Sequence, residues 1–217
     1  MEWEYLEKLI RILIEGLQVS LKIFVLTLIF SIPIGIIVSV FSMSKNKIIS
    51  LITKGYILVM RGTPLLLQII CIYFTPYYLF RVSYDRFIAI IIAFSLNYAA
   101  YFGEIFRSGI ESIPKGQWEA AYTLGFSKVK TFFIIILPQA IKRVLPAVSN
   151  EVITLVRDTS LAQVIGVTEL FSIAQKQANF KFSIVPLLVA GIIYLIISMI
   201  LTAIFNYTEK KLDYYRG

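Results

Sequence analysis

Histidine is absent from this 217-residue chain, and cysteine occurs once, at Cys71 inside an apolar run. A single thiol excludes an intrachain disulfide, and without imidazoles or further thiols there is no ligand cluster for a metal ion. The pattern G-x-x-x-x-G-K-[ST] is missing too, so the chain is not a nucleotide-binding subunit by that criterion. The start is acidic, with Glu2, Glu4 and Glu7 where a cleavable signal would carry a basic region. Internal repeats and low-complexity linkers are lacking, which predicts one integral domain over 1–217. Charge is scarce as well: 16% of residues are charged against 58% hydrophobic, with a mean hydropathy of +0.80. That balance suits a membrane rather than water as solvent.

Charge-free runs cover 23–44, 62–80, 87–103 and 182–208, and most approach the ~20 residues that cross the hydrocarbon core as a helix. The stretch 144–167 is also apolar but carries Glu151, Arg157 and Asp158. The prediction is an all-α integral membrane protein with five spans, roughly 18–43, 56–80, 86–108, 144–168 and 183–207. Residues 3–17 are amphipathic, and Trp3 and Tyr5 suit a helix lying on the membrane surface.

Orientation follows from the cationic residues of the short loops. One side holds Lys45, Lys47, Lys54, Arg107, Lys115, Lys128, Lys130, Lys142, Arg143, Lys210, Lys211 and Arg216; the other holds Lys8, Arg11, Arg81, Arg86, Lys176 and Lys181. The richer side is the cytoplasm, which puts the N-terminus outside and the C-terminus inside. The net charge of +8 then reflects insertion and anionic lipid rather than nucleic acid.

A membrane protein that needs chemical energy but has no nucleotide site must receive force through a stiff cytoplasmic element. Loop 112–138 offers one. Glu119, Ala120 and Ala121 favour helix, the alanines leave a low surface for packing, Gly125 permits a sharp turn, and Pro138 disturbs the next helix near its start. With Ile135 and Leu137, this spacing resembles the EAA loop of the permease subunits of ATP-binding-cassette importers. Arg61-Gly62-Thr63-Pro64-Leu65-Leu66-Leu67-Gln68, Glu104-Ile105-Phe106-Arg107-Ser108-Gly109-Ile110, Leu137-Pro138-Gln139-Ala140 and Arg157-Asp158-Thr159-Ser160-Leu161 resemble the polar amino acid uptake branch of those permeases. Ser108 stands where Gly is usual and Arg157 where Lys is usual. The resemblance runs from about residue 21 to 207. It implies the type I importer permease fold, a prokaryotic cell membrane, a coupling helix between the third and fourth spans, and no cofactor in this chain. The implied partners are cytoplasmic ATPase subunits carrying ATP and Mg, an extracytoplasmic substrate-binding protein and a second permease subunit, identical or not.

An amino acid carries a carboxylate and an ammonium group, and a dry pathway must offer partners to both. In the third span Asn97, Tyr101, Glu104 and Ser108 follow helical offsets along one face. Glu104 is the acid of that stripe, either for the substrate's ammonium group or for Arg107 three residues on. In the fourth, Asp158-Thr159-Ser160-Leu161-Ala162-Gln163 reads as a fresh helix start with Ser160 and Gln163 spaced as a capping box, whose free N–H groups would take a carboxylate. Asp158 either caps that helix or faces a cationic substrate, and Glu151 shares its face. Arg61, ahead of the Gly62-Thr63-Pro64 interruption, is a carboxylate anchor, a partner of Glu104 or Asp158, or a positive flank of the second span.

The acids Glu104, Glu151 and Asp158 outnumber Arg61 and Arg157, which favours arginine, histidine or lysine as cargo; glutamine or another polar amino acid is the alternative. A passive channel needs no docking loop, and a membrane-embedded enzyme would commonly use His, Cys or a metal cluster.

Overall fold

The computed structural model describes residues 2–212 as helices and short connections, with no strand among them. Four helices are long and apolar enough to cross a membrane, and two shorter helices bent 110° at a break meet the same criterion only when taken together, which gives four to five candidate spans. The side chain of Trp3 and Arg216 fall outside the described residues.

Helix α1 (Glu2–Ser42) is unbroken. Its 41 residues reach about 60 Å at 1.5 Å per residue, twice a hydrocarbon core. The predicted surface helix is therefore the N-terminal part of α1, continuous with the first span, because no cap separates the two. One face of α1 is buried at Leu9, Leu13, Gly16, Ser20, Ile23, Thr27, Ser31, Gly35, Val38 and Ser42. The spacing of three and four is helical, and most of these residues from Gly16 on are small, which lets backbones approach in lipid, where no hydrophobic force presses helices together. Gly35 shows how close: a Cβ there would stand 2.8 Å from Phe102 Cβ and 3.2 Å from the Gly103 nitrogen.

Across that face lies α4 (Arg86–Glu111), capped by Asp85 and carrying Phe94, Tyr98, Phe102 and Phe106 one turn apart. Successive ring centroids are 6.3, 6.3 and 6.0 Å apart, so a column of aromatic contacts forms the centre of the bundle.

The second crossing comprises α2 (Lys47–Gly62) and α3 (Leu65–Phe80). Pro64 has no N–H, so the carbonyl of Met60 four residues earlier loses its helical donor. Side chains replace it: Gln68 Nε2 donates to Met60 O at 2.9 Å and Asn97 Nδ2 to the same oxygen at 3.0 Å, while Asn97 also donates to Gln68 Oε1 at 2.9 Å. Thr63 Oγ1 donates back to Val59 O at 2.8 Å. The Met60 carbonyl at the break thus regains hydrogen-bond donors, as a break in a span requires.

After α4 come the short helix α5 (Lys115–Thr123), Gly125 at φ +80°, and α6 (Lys128–Thr131). A π-helical turn over Phe132–Ile136 widens the chain just before Pro138, and α7 (Leu137–Asp158) continues from it. The last turns tighten to a 3-10 helix, Thr159–Ile165, ended by Gly166 at φ +82°. Helix α8 (Leu170–Lys181) and α9 (Val185–Leu212) complete the fold.

The start of α8 is held by Glu169, which is fully buried. Its carboxylate accepts from the Phe171 and Ser172 N–H groups at 2.8 and 2.6 Å, from the Tyr194 hydroxyl of α9 at 3.0 Å and from Ser20 of α1 at 3.4 Å. Three helices are tied at one point. Burial pushes the Glu169 carboxyl up from its ordinary range, against the pull of these four donors.

Candidate functional site

Arg61 ends α2, Glu104 lies past the middle of α4, and the two meet across a cleft. On one side Lys54, Arg61, Tyr101, Glu104 and Arg107 line a volume of about 580 Å³. On the other, Arg61, Glu104, Ser108 and Arg143 line about 510 Å³. Three of the four residues of the predicted polar stripe, Tyr101, Glu104 and Ser108, therefore open onto the cleft. Asn97 does not: it is 4% exposed and holds the break in the second span.

Electrostatics within the cleft are self-compensating. Glu104 accepts from Arg107 Nε at 3.0 Å and from a second Arg107 nitrogen at 2.5 Å, while Arg61 stands 4.0 Å away. Arg107 also donates to Glu111. The Arg61 guanidinium lies 5.2 Å from the centre of the Tyr101 ring, within cation–π range. The Glu104 carboxylate is thus engaged by Arg107, the local pairing three residues on that the sequence offered.

The segment after α7 departs from the sequence-based expectation. Asp158 and Thr159 keep right-handed helical backbone angles, and the Thr159 N–H points back to Leu155 and Arg157 carbonyls. A fresh start requires an extended capping residue; here the helix only tightens, so the capping box of Ser160 and Gln163 is not formed and no crown of free N–H groups is presented. Ser160 Oγ donates to Arg157 O at 2.8 Å, and buried Thr159 donates to Val156 O at 2.7 Å. Leu161 packs on the main core, and Gln163 is half-buried. Asp158 caps nothing and accepts the Tyr98 hydroxyl at 2.8 Å. Glu151, half-buried on α7, lies within electrostatic reach of both Arg61 and Asp158.

On the loop side, α5 carries Glu119 and Ala120 to the surface, but Ala121 faces inward and is 1% exposed. The outer face is completed by Tyr122 and Leu124, exposed apolar side chains beside the turn at Gly125. Trp118 packs against the small core of Ile113, Ile136 and Ala140, which seats α5 between the C-terminal end of α4 and the start of α7. Arg143 of α7 donates to Ser112 Oγ at 3.2 Å, clasping those ends together.

The chain matches, over residues 31–214, the family described as "Binding-protein-dependent transport system inner membrane component". It belongs to that family. The L-cystine transport system permease protein TcyB of Bacillus subtilis (strain 168) is 40% identical over 206 residues, 94% of this chain and 88% of that one. The arginine transport system permease protein ArtQ of the same organism is 39% identical over 201 residues, 92% of each. The putative glutamine transport system permease protein GlnP of Rickettsia bellii (strain RML369-C) is 37% identical over 217 residues, 97% and 98%. A crystal structure of an amino acid ABC transporter with histidines superposes with a TM-score of 0.89 at 31% identity, covering 97% of this chain and 99% of that one.

As a permease of this family the chain is a transport subunit, and ATP hydrolysis belongs to a separate subunit. Several residues that organise this permease escape a reading of the sequence. Tyr98 sits beside the flagged Asn97, but its partner Asp158 is sixty positions away. Gln68 lies inside a quoted motif, and the carbonyl orphaned by Pro64 was the signal that a donor had to reach back. Glu169 precedes an apolar helix, as capping acids do, but its links to Ser20 and Tyr194 have no local trace.

Proposed function

We propose that this permease carries a polar amino acid, basic in character, across a prokaryotic cell membrane by alternating access. The N-terminus is outside, the C-terminus is cytoplasmic, and the exposed face of α5 is gripped by ATPase subunits that carry ATP and Mg. A binding protein delivers the amino acid from the extracytoplasmic side. Five crossings are few to enclose a pathway, so a second permease subunit, identical or not, closes it. What carries this reading is the cleft itself: Arg61, Tyr101, Glu104 and Ser108 gather polar groups of both signs at the break in the second span, directly above the α4 and α7 ends that seat α5.

Within the cleft, Arg61 serves the substrate carboxylate. Glu104, with Asp158 and Glu151 deeper in, serves the ammonium group and a cationic side chain. A neutral cargo such as glutamine is the second reading, and one observation favours it: Arg107 and Arg61 already offset Glu104. Uptake by proteoliposomes holding the complete transporter separates them. Glu104→Gln and Asp158→Asn are expected to weaken arginine transport at least tenfold each, the loss of one charged contact worth about 1.4 kcal/mol or more, with glutamine transport less affected. Undiminished arginine uptake in both variants would remove the carboxylates from the substrate site.

A further inference from the structure

Arg107 is shared between two carboxylates of its own helix. Glu104, three residues before it, accepts from its Nε at 3.0 Å and from a terminal nitrogen at 2.5 Å, while Glu111, four residues after it, accepts from the other terminal nitrogen. The two acids stand in different surroundings. Glu104 lines both halves of the cleft. Glu111 lines neither and is the last residue of α4, about two turns further along.

A bare carboxylate in a membrane-spanning segment is costly, and here the cation that relieves it is carried by the same helix. Arg61, the next cation, stands 4.0 Å from Glu104 and lies over the Tyr101 ring. Among the described residues, the hydrogen bonds to Glu104 come from Arg107. Arginine presents five donors in a planar fork, and the two terminal nitrogens of Arg107 already point to different acids, so its guanidinium can leave Glu104 without losing every partner. The order of the residues ranks the two acids. An acid ahead of its base is the favoured arrangement along a helix and the reverse is the lesser one, which makes Glu104 the preferred partner and Glu111 the reserve.

Formal charge along this row reads negative, positive, negative. One more cation at Glu104 completes two pairs, the newcomer with Glu104 and Arg107 with Glu111, and strands no charge. A cation entering from either half of the cleft reaches the same carboxylate.

We propose that Arg107 is a tethered counter-ion of the cleft: it holds Glu104 between transport cycles, yields it to the cationic group of the cargo, and is retained meanwhile by Glu111. Arg107 and Glu111 are then positioning residues that set cargo affinity through Glu104. The proposal rests on the reading that Glu104 serves the cargo's cationic group. It also supplies a cause for release, because a guanidinium on the same helix competes for Glu104 at high effective concentration. Such a competitor lowers the apparent affinity by the fraction of time that Glu104 is free, which a partly exposed ion pair sets at about one in five.

Binding of radiolabelled arginine to the complete transporter in nanodiscs tests the exchange. Arg107→Gln removes the competitor and is expected to tighten binding about fivefold. Glu111→Gln, at the more exposed acid outside the cleft lining, removes the reserve partner and should weaken binding about threefold. In the Arg107→Gln background the same change should do nothing, because its effect runs through Arg107. Unaltered or weaker binding in Arg107→Gln overturns the proposal. So does a Glu111→Gln effect that is absent in the parent or equal in both backgrounds, since simple attraction to a distant acid needs no Arg107. Glu104→Gln separates the two levels of the argument. Arginine binding undiminished by that change would sink the assignment of Glu104 to the cargo, whereas binding that falls with Glu104→Gln and does not tighten with Arg107→Gln would sink the exchange alone.

Discussion

Gly109 of α4 faces Val144 of α7 so closely that a Cβ on the glycine would stand 2.0 Å from Val144 Cγ1, yet 3.5 Å from Val144 Cβ and 3.6 Å from the Ala140 carbonyl. The obstruction is a single methyl group. Gly109→Ala gains about 1 kcal/mol of helix propensity and meets overpacking of about 1–3 kcal/mol. A 2.0 Å approach belongs at the upper end of that range, since β-branched valine is stiff at χ1 in a helix and cannot swing aside. The net loss is about 2 kcal/mol, which lowers Tm by roughly 4–8 °C for a chain of this size. Val144→Ala alone removes two methyl groups from a half-buried position, about 0.8 kcal/mol. The double variant keeps the helix gain without the clash, because its remaining neighbours are at ordinary contact distance, and should be as stable as the parent within about 0.5 kcal/mol. Thermal unfolding of the four purified proteins in one detergent, followed by tryptophan emission or loss of the monodisperse peak, closes the cycle. Additive losses, with the double variant less stable than Gly109→Ala, would refute the α4–α7 packing that seats α5.

Asn97→Leu should destabilise by about 1–3 kcal/mol, because it removes donors from the Met60 carbonyl and Gln68; equal thermal stability in the same scan would show that the break does not depend on them. Tyr98→Phe leaves the Asp158 carboxylate without its hydroxyl donor and should slow uptake at saturating substrate about tenfold, as a lost hydrogen bond to a charged group is worth about 1.5–3 kcal/mol; parental uptake would remove Tyr98 from the pathway. For Glu169 the folded pKa is raised, so the folded state holds the proton more tightly than the unfolded chain. Its contribution is full at low pH and is lost as pH rises from the ordinary carboxylate range up to the raised value. Tm measured against pH should therefore fall across that window in the parent relative to Glu169→Gln, and parallel curves would contradict the assignment.

Much of the molecule is legible before folding because a bilayer imposes its own grammar. Backbone groups in hydrocarbon must be satisfied within a helix, so runs of about 20 apolar residues become crossings, as 87–103 does in α4. Local chemistry placed the interruption at Gly62-Thr63-Pro64 and the turn at Gly125, since proline lacks a donor and glycine reaches positive φ. The polar stripe of α4 was readable from helical offsets for Tyr101, Glu104 and Ser108. It failed for Asn97, because a stripe specifies a face and not which neighbour that face meets at each level.

The small residues from Gly16 to Ser42 were equally visible and pointed to close packing, but their partner, α4, is not written beside them. At residues 158–163 a capping pattern was present and overridden: Asp158 and Thr159 stay helical, and Asp158 found its donor on another helix. Helix propensity exposed Ala120 and Ala121 alike as a docking surface, whereas seating α5 on Trp118, Ile113 and Ile136 turned Ala121 inward. Composition and periodicity by themselves marked most of the helices that are long and apolar enough to cross a membrane. Only the tertiary structure decided which polar groups meet, because Arg61 with Glu104, Tyr98 with Asp158 and Ser20 with Glu169 join residues 43 to 149 positions apart, and contact across such separations depends on helix packing rather than on neighbouring sequence.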